Sequence, residues 1–417
     1  MRRNLILLSA CATFVLSAMA PRMLAQDQTQ ETTGPRLKVR SWVKPGPPIE
    51  HVNATRDMSV TDPSKTLPLW TFFTESTRDQ FGYTGVMVGQ DPFTGGGASD
   101  VKTFVVPLII NTSQIGTSVN SKGIISTKPG ATTFNPTVAD TACLAAPNDV
   151  PLKLVQQSPI FKSATFDFGG TIVGTTQYVD AFQRGNFWKV IDPATYHVLL
   201  NPVKTLSPIV INVPKANGLA LSTSVFAVPP CARLGIIDIN WFDAYLDSTV
   251  IPALAAQGVN PSNFPIFLVH NVVWASPVTN LGTCCILGYH GFTGLPIQTY
   301  SPVDFDSTGV FGPGVKDTTP MSHELAEWMD DPFDNNPTPP WGHIGQVGGC
   351  SNALEVGDPL TPTNAPRIVM PNGFTYHLQE LAFFSWFFGT PSIGIHGWFS
   401  NNGTFLTDAG PPCVSPM

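Results

Sequence analysis

The sequence predicts an α+β protein, with a β-rich region over residues 67–233 and a mixed second part over 234–417 that carries one short, well-punctuated helix. Three observations lead there. Short runs of Val, Ile, Thr and Phe recur through the first part, bounded by Pro, Gly and Asn as strands are. Near Leu234 the texture changes to a strand followed by apolar residues at helical spacing. Residues 318–332 (TTPMSHELAEWMDDP) open on a Pro suited to a first helical turn and close on a Pro that stops the helix.

In chain order, residues 1–25 read as a secretory signal peptide, with Arg2 and Arg3 ahead of an apolar stretch and small residues at Ala18, Ala20 and Ala25 for cleavage. Leu8-Ser9-Ala10-Cys11 resembles a lipobox, so a lipid-anchored form through Cys11 is a minor alternative. Residues 26–66 are polar, Pro-containing and aperiodic, a flexible leader. Strands are expected at 101–110, 170–179, 207–213 and 235–240, then a helix over 241–257, where apolar and polar residues alternate at helical spacing. An apolar strand follows at 265–275, with shorter ones at 285–289 and 298–305. The aromatic run 381–389 (LAFFSWFFG) is expected to pack beneath the site. No stretch after the signal approaches the ~18 consecutive apolar residues of a membrane span.

Composition bounds the function classes. Only 12% of the 417 residues are charged and the net charge is −7, which argues against a nucleic-acid partner. A polar but sparsely charged chain behind a signal peptide fits a secreted location, extracellular or periplasmic. Six cysteines remain once Cys11 is removed: Cys143, Cys231, Cys284, Cys285, Cys350 and Cys413. An even number in an exported chain implies disulfides. The adjacent Cys284 and Cys285 are expected to pair with distant partners, because a bridge between neighbours closes a very small ring.

The chemistry sits on the short helix. Its first turn is expected to be capped by Thr319 and opened by Pro320. At about 100° per residue from His323, Glu327 falls near 40°, Asp331 near 80°, Glu324 near 100° and Asp330 near −20°. Leu325, Ala326 and Met329 fall on the opposite side. The expectation is an apolar back and a front of one imidazole and four carboxylates. From Asp317 to Pro366 there are eight acids and neither Lys nor Arg, so no neighbour in the chain can balance them. A bound divalent cation is the simplest balance.

His323 and Glu327, at i and i+4, can meet at one ion, and Glu324 can reach a water beside it as general base. A third ligand is expected downstream, Glu355 first (LEVGDP), with Asp358, His343 and His377 as alternatives. Asp331 is assigned the role of orienting His323 through its other ring nitrogen, with Asp358 also beside the ligands. His270 and His290 are read as structural.

The HExxE arrangement His323-Glu324-Leu325-Ala326-Glu327 resembles the HExxH motif of zincin metallopeptidases, with Glu327 in place of the second His. HELAEWMDDP followed by LEVGDP also resembles, more distantly, the Exordium (phosphate-induced protein) family, over about forty residues from His323 to Pro359. The resemblance implies a zincin-like, gluzincin-type core with His323, Glu327 and Glu355 as ligands and Glu324 as base. Zinc is the first candidate ion, and the carboxylate-rich set leaves Mn, Fe and Ca open. The expected activity is a secreted metal-dependent hydrolase acting on a peptide or protein substrate. The alternative is a non-catalytic extracellular protein with a structural metal, binding a cell-wall component or another protein.

Overall fold

A computed structural model describes residues 37–40, 42, 44, 66–146, 148–342, 350–361 and 365–413. The expected signal peptide at 1–25, Cys11 and His343 lie outside the described residues.

Helices and a large sheet are both present, as the α+β expectation has it. The first strands are β1 (Leu69–Glu75) and β2 (Gly82–Val88), an antiparallel pair of their own. Then comes β3 (Ala98–Val119), 22 residues long, around which a ten-stranded sheet is organised. Its N-terminal half is apolar at nearly every position from Phe104 to Ile110 and lies buried, so it can be flanked on both edges. Along its length it pairs with β4 (Ile125–Phe134), β7 (His197–Thr205), β8 (Ile209–Asn212), β9 (Gly218–Leu221) and β11 (Asn263–His270). Between β4 and β7 lie β5 (Ala164–Phe168) and β6 (Thr171–Thr176), a separate hairpin.

The sheet continues from β9 to β10 (Leu234–Asp238) and β12 (Val272–Ala275), and from β11 to β14 (Gln298–Phe305) and β13 (Gly291–Thr293). Strands from both sides of the expected 233/234 boundary therefore share one sheet, and that boundary runs through it. β11 and β14 pair in parallel and every residue of both is buried, which is why NFPIFLVH reads as an unbroken apolar run. The single strand expected at 265–275 is divided at Asn271, whose φ of 55° breaks the extended backbone between β11 and β12. Residues 285–289 form only isolated bridges, Ile286 to Trp274 and Gly288 to Val303.

Six helices are used below: α1 (Pro151–Gln157), α2 (Tyr178–Asn186), α3 (Ile239–Tyr245), α4 (Ile251–Leu254), α5 (Thr319–Asp330) and α6 (Phe384–Phe388). The helix expected over 241–257 is α3 and α4 with a π turn between them. The expected strand over 170–179 ends as β6, and α2 takes up its last residues. The aromatic run 381–389 is buried along α6 and shares a core with α2, α5 and β11, as expected.

Three disulfides close: Cys143–Cys231, Cys350–Cys413 and Cys284–Cys285. The last corrects the expectation of distant partners. The peptide between the two residues is cis, with Cα atoms 3.0 Å apart. The described residues of the leader near its middle, 37–40, 42 and 44, include several held against the rest of the protein. Around Val39 the backbone bonds to Cys285 in both directions (Arg40 N to Cys285 O 2.8 Å, Cys285 N to Lys38 O 2.7 Å). Lys44 pairs with Asp247 (2.6 Å) and Asp243 (3.2 Å), and Trp42 meets Tyr289 edge to face. Among the described residues no helix is long and apolar enough to cross a membrane.

The motif helix α5 is seated by Trp328, whose ring stacks on Phe264 of β11 at 3.6 Å between centroids while its indole N–H donates to Thr299 Oγ1 of β14 (3.0 Å). Replacing Trp328 by Ala removes a fully buried aromatic and leaves the Thr299 hydroxyl without its donor. Chemical denaturation of that variant is expected to show a loss of about 3–5 kcal/mol; a loss below ~1 kcal/mol would mean α5 is held by something else.

Candidate metal centre

All of α5 is buried, including its polar side chains, so the helix has no solvent-facing front. The five polar groups of the expected face part company. His323, Glu324 and Glu327 point into a cavity of about 40 Å³, which Asp358, Glu355, Asp334 and His290 also line. Asp330 turns instead toward α2, where Gln183 and Asn186 donate to its carboxylate. Asp331 has left the helix, with φ −144°, and its carboxylate accepts the backbone N–H groups of Asn335 (2.9 Å) and Asn336 (3.0 Å). The wheel carried helical angles past the point where the helix ends. Asp331 therefore folds the turn after α5 and does not orient His323. At the other end, α5 begins at Thr319, Thr318 precedes it, and neither side chain caps it.

The ring of His323 is oriented by Thr361. That hydroxyl donates to Gly357 O (3.1 Å) and lies 3.0 Å from His323 Nδ1, so with its one proton committed it accepts from Nδ1–H. In the neutral ring this leaves the Nε2 lone pair facing Glu327 Oε2 at 3.0 Å and Asp358 Oδ1 at 3.6 Å. Three electron-rich atoms converge. Glu327 is fixed through its other oxygen by the N–H groups of Gly357 (3.1 Å) and Asp358 (3.2 Å). Gly357 is glycine because the His323 ring lies against it: a Cβ there would be 2.4 Å from Nδ1. Gly288 stands likewise against Glu324, where a Cβ would be 2.6 Å from Cγ.

On the opposite wall, His290 Nε2 lies 2.6 Å from Asp334 Oδ1 and its Nδ1 3.5 Å from Glu324 Oε2. This corrects the reading of His290 as a structural residue outside the site; His270 does stay outside it, with Asp140 and Ser307. Asp334 is one of the eight acids counted in the sequence, but nothing local assigned it to the site, and His290 carried no such signal, since each comes from an irregular segment. Glu355 is buried in the same cavity and its Oε1 has no hydrogen-bond partner. His377, the other alternative ligand, is engaged elsewhere with Asp317 (2.6 Å). Three groups have ligand atoms within 4.8 Å of one another: His323, Glu327 and Asp358; His290, Glu324 and Glu327; and His290, Asp334 and Glu355. Asp358 is thus the residue that closes the set around His323, where Glu355 was expected first.

Burial drives the titration of these groups. It pushes Glu327, Glu355 and Asp358 well above the usual carboxylate range, with neighbouring carboxylates adding to the shift. Asp330 and Asp331 are pushed up to about 7, chiefly by burial. Burial pulls His290 down, but Asp334 and Glu324 more than reverse it. The donor set, two imidazoles and five carboxylates with an orphaned buried oxygen, fits a divalent cation.

Comparison with known protein families, curated proteins and solved structures finds no match. The resemblance to zincins and to the Exordium family rests on residues 323–359 alone.

Two outcomes follow from this geometry. A carboxyl whose folded pKa is raised binds its proton more readily in the native state than when unfolded, so it costs stability as pH rises through that interval. A raised His gives the same sign, because its stabilisation is lost as pH climbs through its folded value. Metal-free protein should therefore melt at a higher temperature at pH 5 than at pH 8, with added cation recovering most at the alkaline end. A melting temperature that rises with pH in the metal-free protein would contradict the burial. Below about pH 4 the trend reverses, because Asp140, held down at about 2 by His270 and Ser307 against its burial, loses its advantage there. Thr361→Val removes the group that orients His323 and should weaken metal affinity about 10–100-fold, measured by competition with a chelator dye.

Proposed function

We propose that the protein is a metal-dependent hydrolase of zincin type, acting on peptide bonds outside the cytoplasm. The observation that carries this reading is the convergence of His323 Nε2, Glu327 and Asp358 on one point, with Glu324 on the same helix beside it. His323, Glu327 and Asp358 would hold the ion, with Glu355 within reach of the same cavity. When bound, the ion lowers the pKa of a water and polarises an acyl oxygen.

The chain's own residues do the rest. Glu324 Oε1 lies 4.0 Å from His323 Nε2, placing its carboxylate to accept a proton from a water in the cavity and return it to a leaving amine. Thr361 and the two N–H groups on Glu327 hold the ligands in register while that proton moves. Cys285 exchanges backbone hydrogen bonds with Lys38 and Arg40 beside the cavity, a pairing that favours a polypeptide main chain as substrate. Three disulfides match an oxidising compartment.

One observation favours a second reading. A volume of 40 Å³ accommodates about three water-sized species and no peptide, and Val39, Arg40 and Trp42 form part of its wall. A structural cation in a non-catalytic binding protein would need nothing larger. The two readings separate on one experiment. Metal-loaded protein is assayed on a peptide library beside Glu324→Gln. The hydrolase reading expects cleavage that falls at least ~10²-fold in the variant while its metal content stays the same. Cleavage unaffected by Glu324→Gln would remove the assigned base, and metal-stabilised protein that cleaves nothing, with or without residues 37–44, would leave the structural reading.

A further inference from the structure

We propose that the cavity takes two divalent cations, the second held by His290, Asp334 and Glu355. This rests on the reading of His323, Glu327 and Asp358 as one cation position. The second group shares no residue with that one, and its ligand atoms lie within 4.8 Å of one another. Its three members come from separate segments: His290 just before β13, Asp334 from the turn after α5, and Glu355 after the short strand Cys350–Ala353.

A buried, unpartnered carboxylate oxygen points to a ligand there. Glu355 is 5% exposed, lines the cavity and leaves Oε1 without a partner. An unsatisfied carboxylate oxygen at that depth is costly. The Asp334 carboxylate stands beside it, 2.6 Å from His290 Nε2.

Charge gives the same answer. Five carboxylates line the cavity: Glu324, Glu327, Asp334, Glu355 and Asp358. With both imidazoles neutral, as ligands must be, and Arg40 at the border, one divalent ion leaves two negative charges uncompensated and two ions leave none. Glu327 belongs both to the group of His323 and to a group with His290 and Glu324, so its carboxylate lies between the positions and is placed to be shared. Imidazole with carboxylates suits Zn, Mn or Fe in both positions. The cavity's volume has room for two ions and a water.

The competing arrangement is a protonated His290 paired with Asp334, with a single cation at His323. The test uses the purified secreted chain, stripped with chelator and reloaded with Mn(II) or Zn(II) alone. Elemental analysis should find two equivalents per chain, and the Mn(II) form should give the spin-coupled electron paramagnetic resonance signal of two neighbouring ions. Glu355→Gln, which keeps the shape of the side chain, and His290→Ala should each drop the content to one equivalent and replace the coupled signal by that of isolated Mn(II). His323→Ala should retain the other equivalent. One equivalent in the unaltered protein, lost in His323→Ala and kept in Glu355→Gln and His290→Ala, would overturn the second position and leave the hydrolase reading standing. Protein that takes up no metal would overturn both.

Discussion

Stacking of Trp328 on Phe264 sets α5 at the depth where its polar side chains lose contact with water, and most of the neighbouring architecture answers that cost. A carboxylate taken from water must be hydrogen-bonded, neutralised or paired with a cation. The helix uses different answers at different positions. Asp330 is met by two amide side chains of α2, and Asp331 by the backbone of the turn it closes. Glu327 receives two N–H groups on one oxygen and has its other oxygen turned into the cavity. The acids that the fold satisfies internally are those it uses to hold α5 in place, and those it satisfies only in part are those around the cavity.

This division also explains the segments brought against the helix. Gly288 and Gly357 allow two backbones to approach Glu324 and His323 more closely than any side chain would permit. The Cys350–Cys413 bridge ties down the strand that leads into Leu354-Glu355-Val356-Gly357-Asp358, and the N–H groups of that loop are what fix Glu327. The long β3 and the buried parallel pair β11 and β14 supply a rigid floor, on which polar side chains from distant parts of the sequence can be held at hydrogen-bonding precision.

The helix, its limits to within a residue, and His323, Glu324 and Glu327 were legible because α-helical periodicity and proline punctuation are local signals. Glu355 and Asp358 were legible as an acidic cluster downstream, though not which of them sits nearer His323. What escaped is what has no local period. His290 lies in a stretch with only isolated bridges, so nothing in its neighbours distinguished it from a packed histidine. Asp331 was misplaced because an angle projected along an ideal helix has no meaning one residue beyond its end. Cys284 and Cys285 depended on a peptide geometry that no composition rule anticipates. The change of texture at 233/234 marks a change of secondary structure, and strands from both sides of it lie in one sheet.

The stretch at 37–44 carries a consequence for the charge deficit counted along the sequence. Fifty residues with eight acids and neither Lys nor Arg look unbalanced, yet that count follows the chain and not space. Arg40, some 280 positions earlier, is the one guanidinium or amine among the described residues that border the cavity, anchored there by the carbonyl oxygens of Cys284 and Gly282. A recombinant chain begun downstream of Lys44, on the view that a polar leader is dispensable, would discard the acidic chamber's nearest counter-charge together with part of its wall. Where such a molecule starts is thus a choice about the electrostatics of its interior.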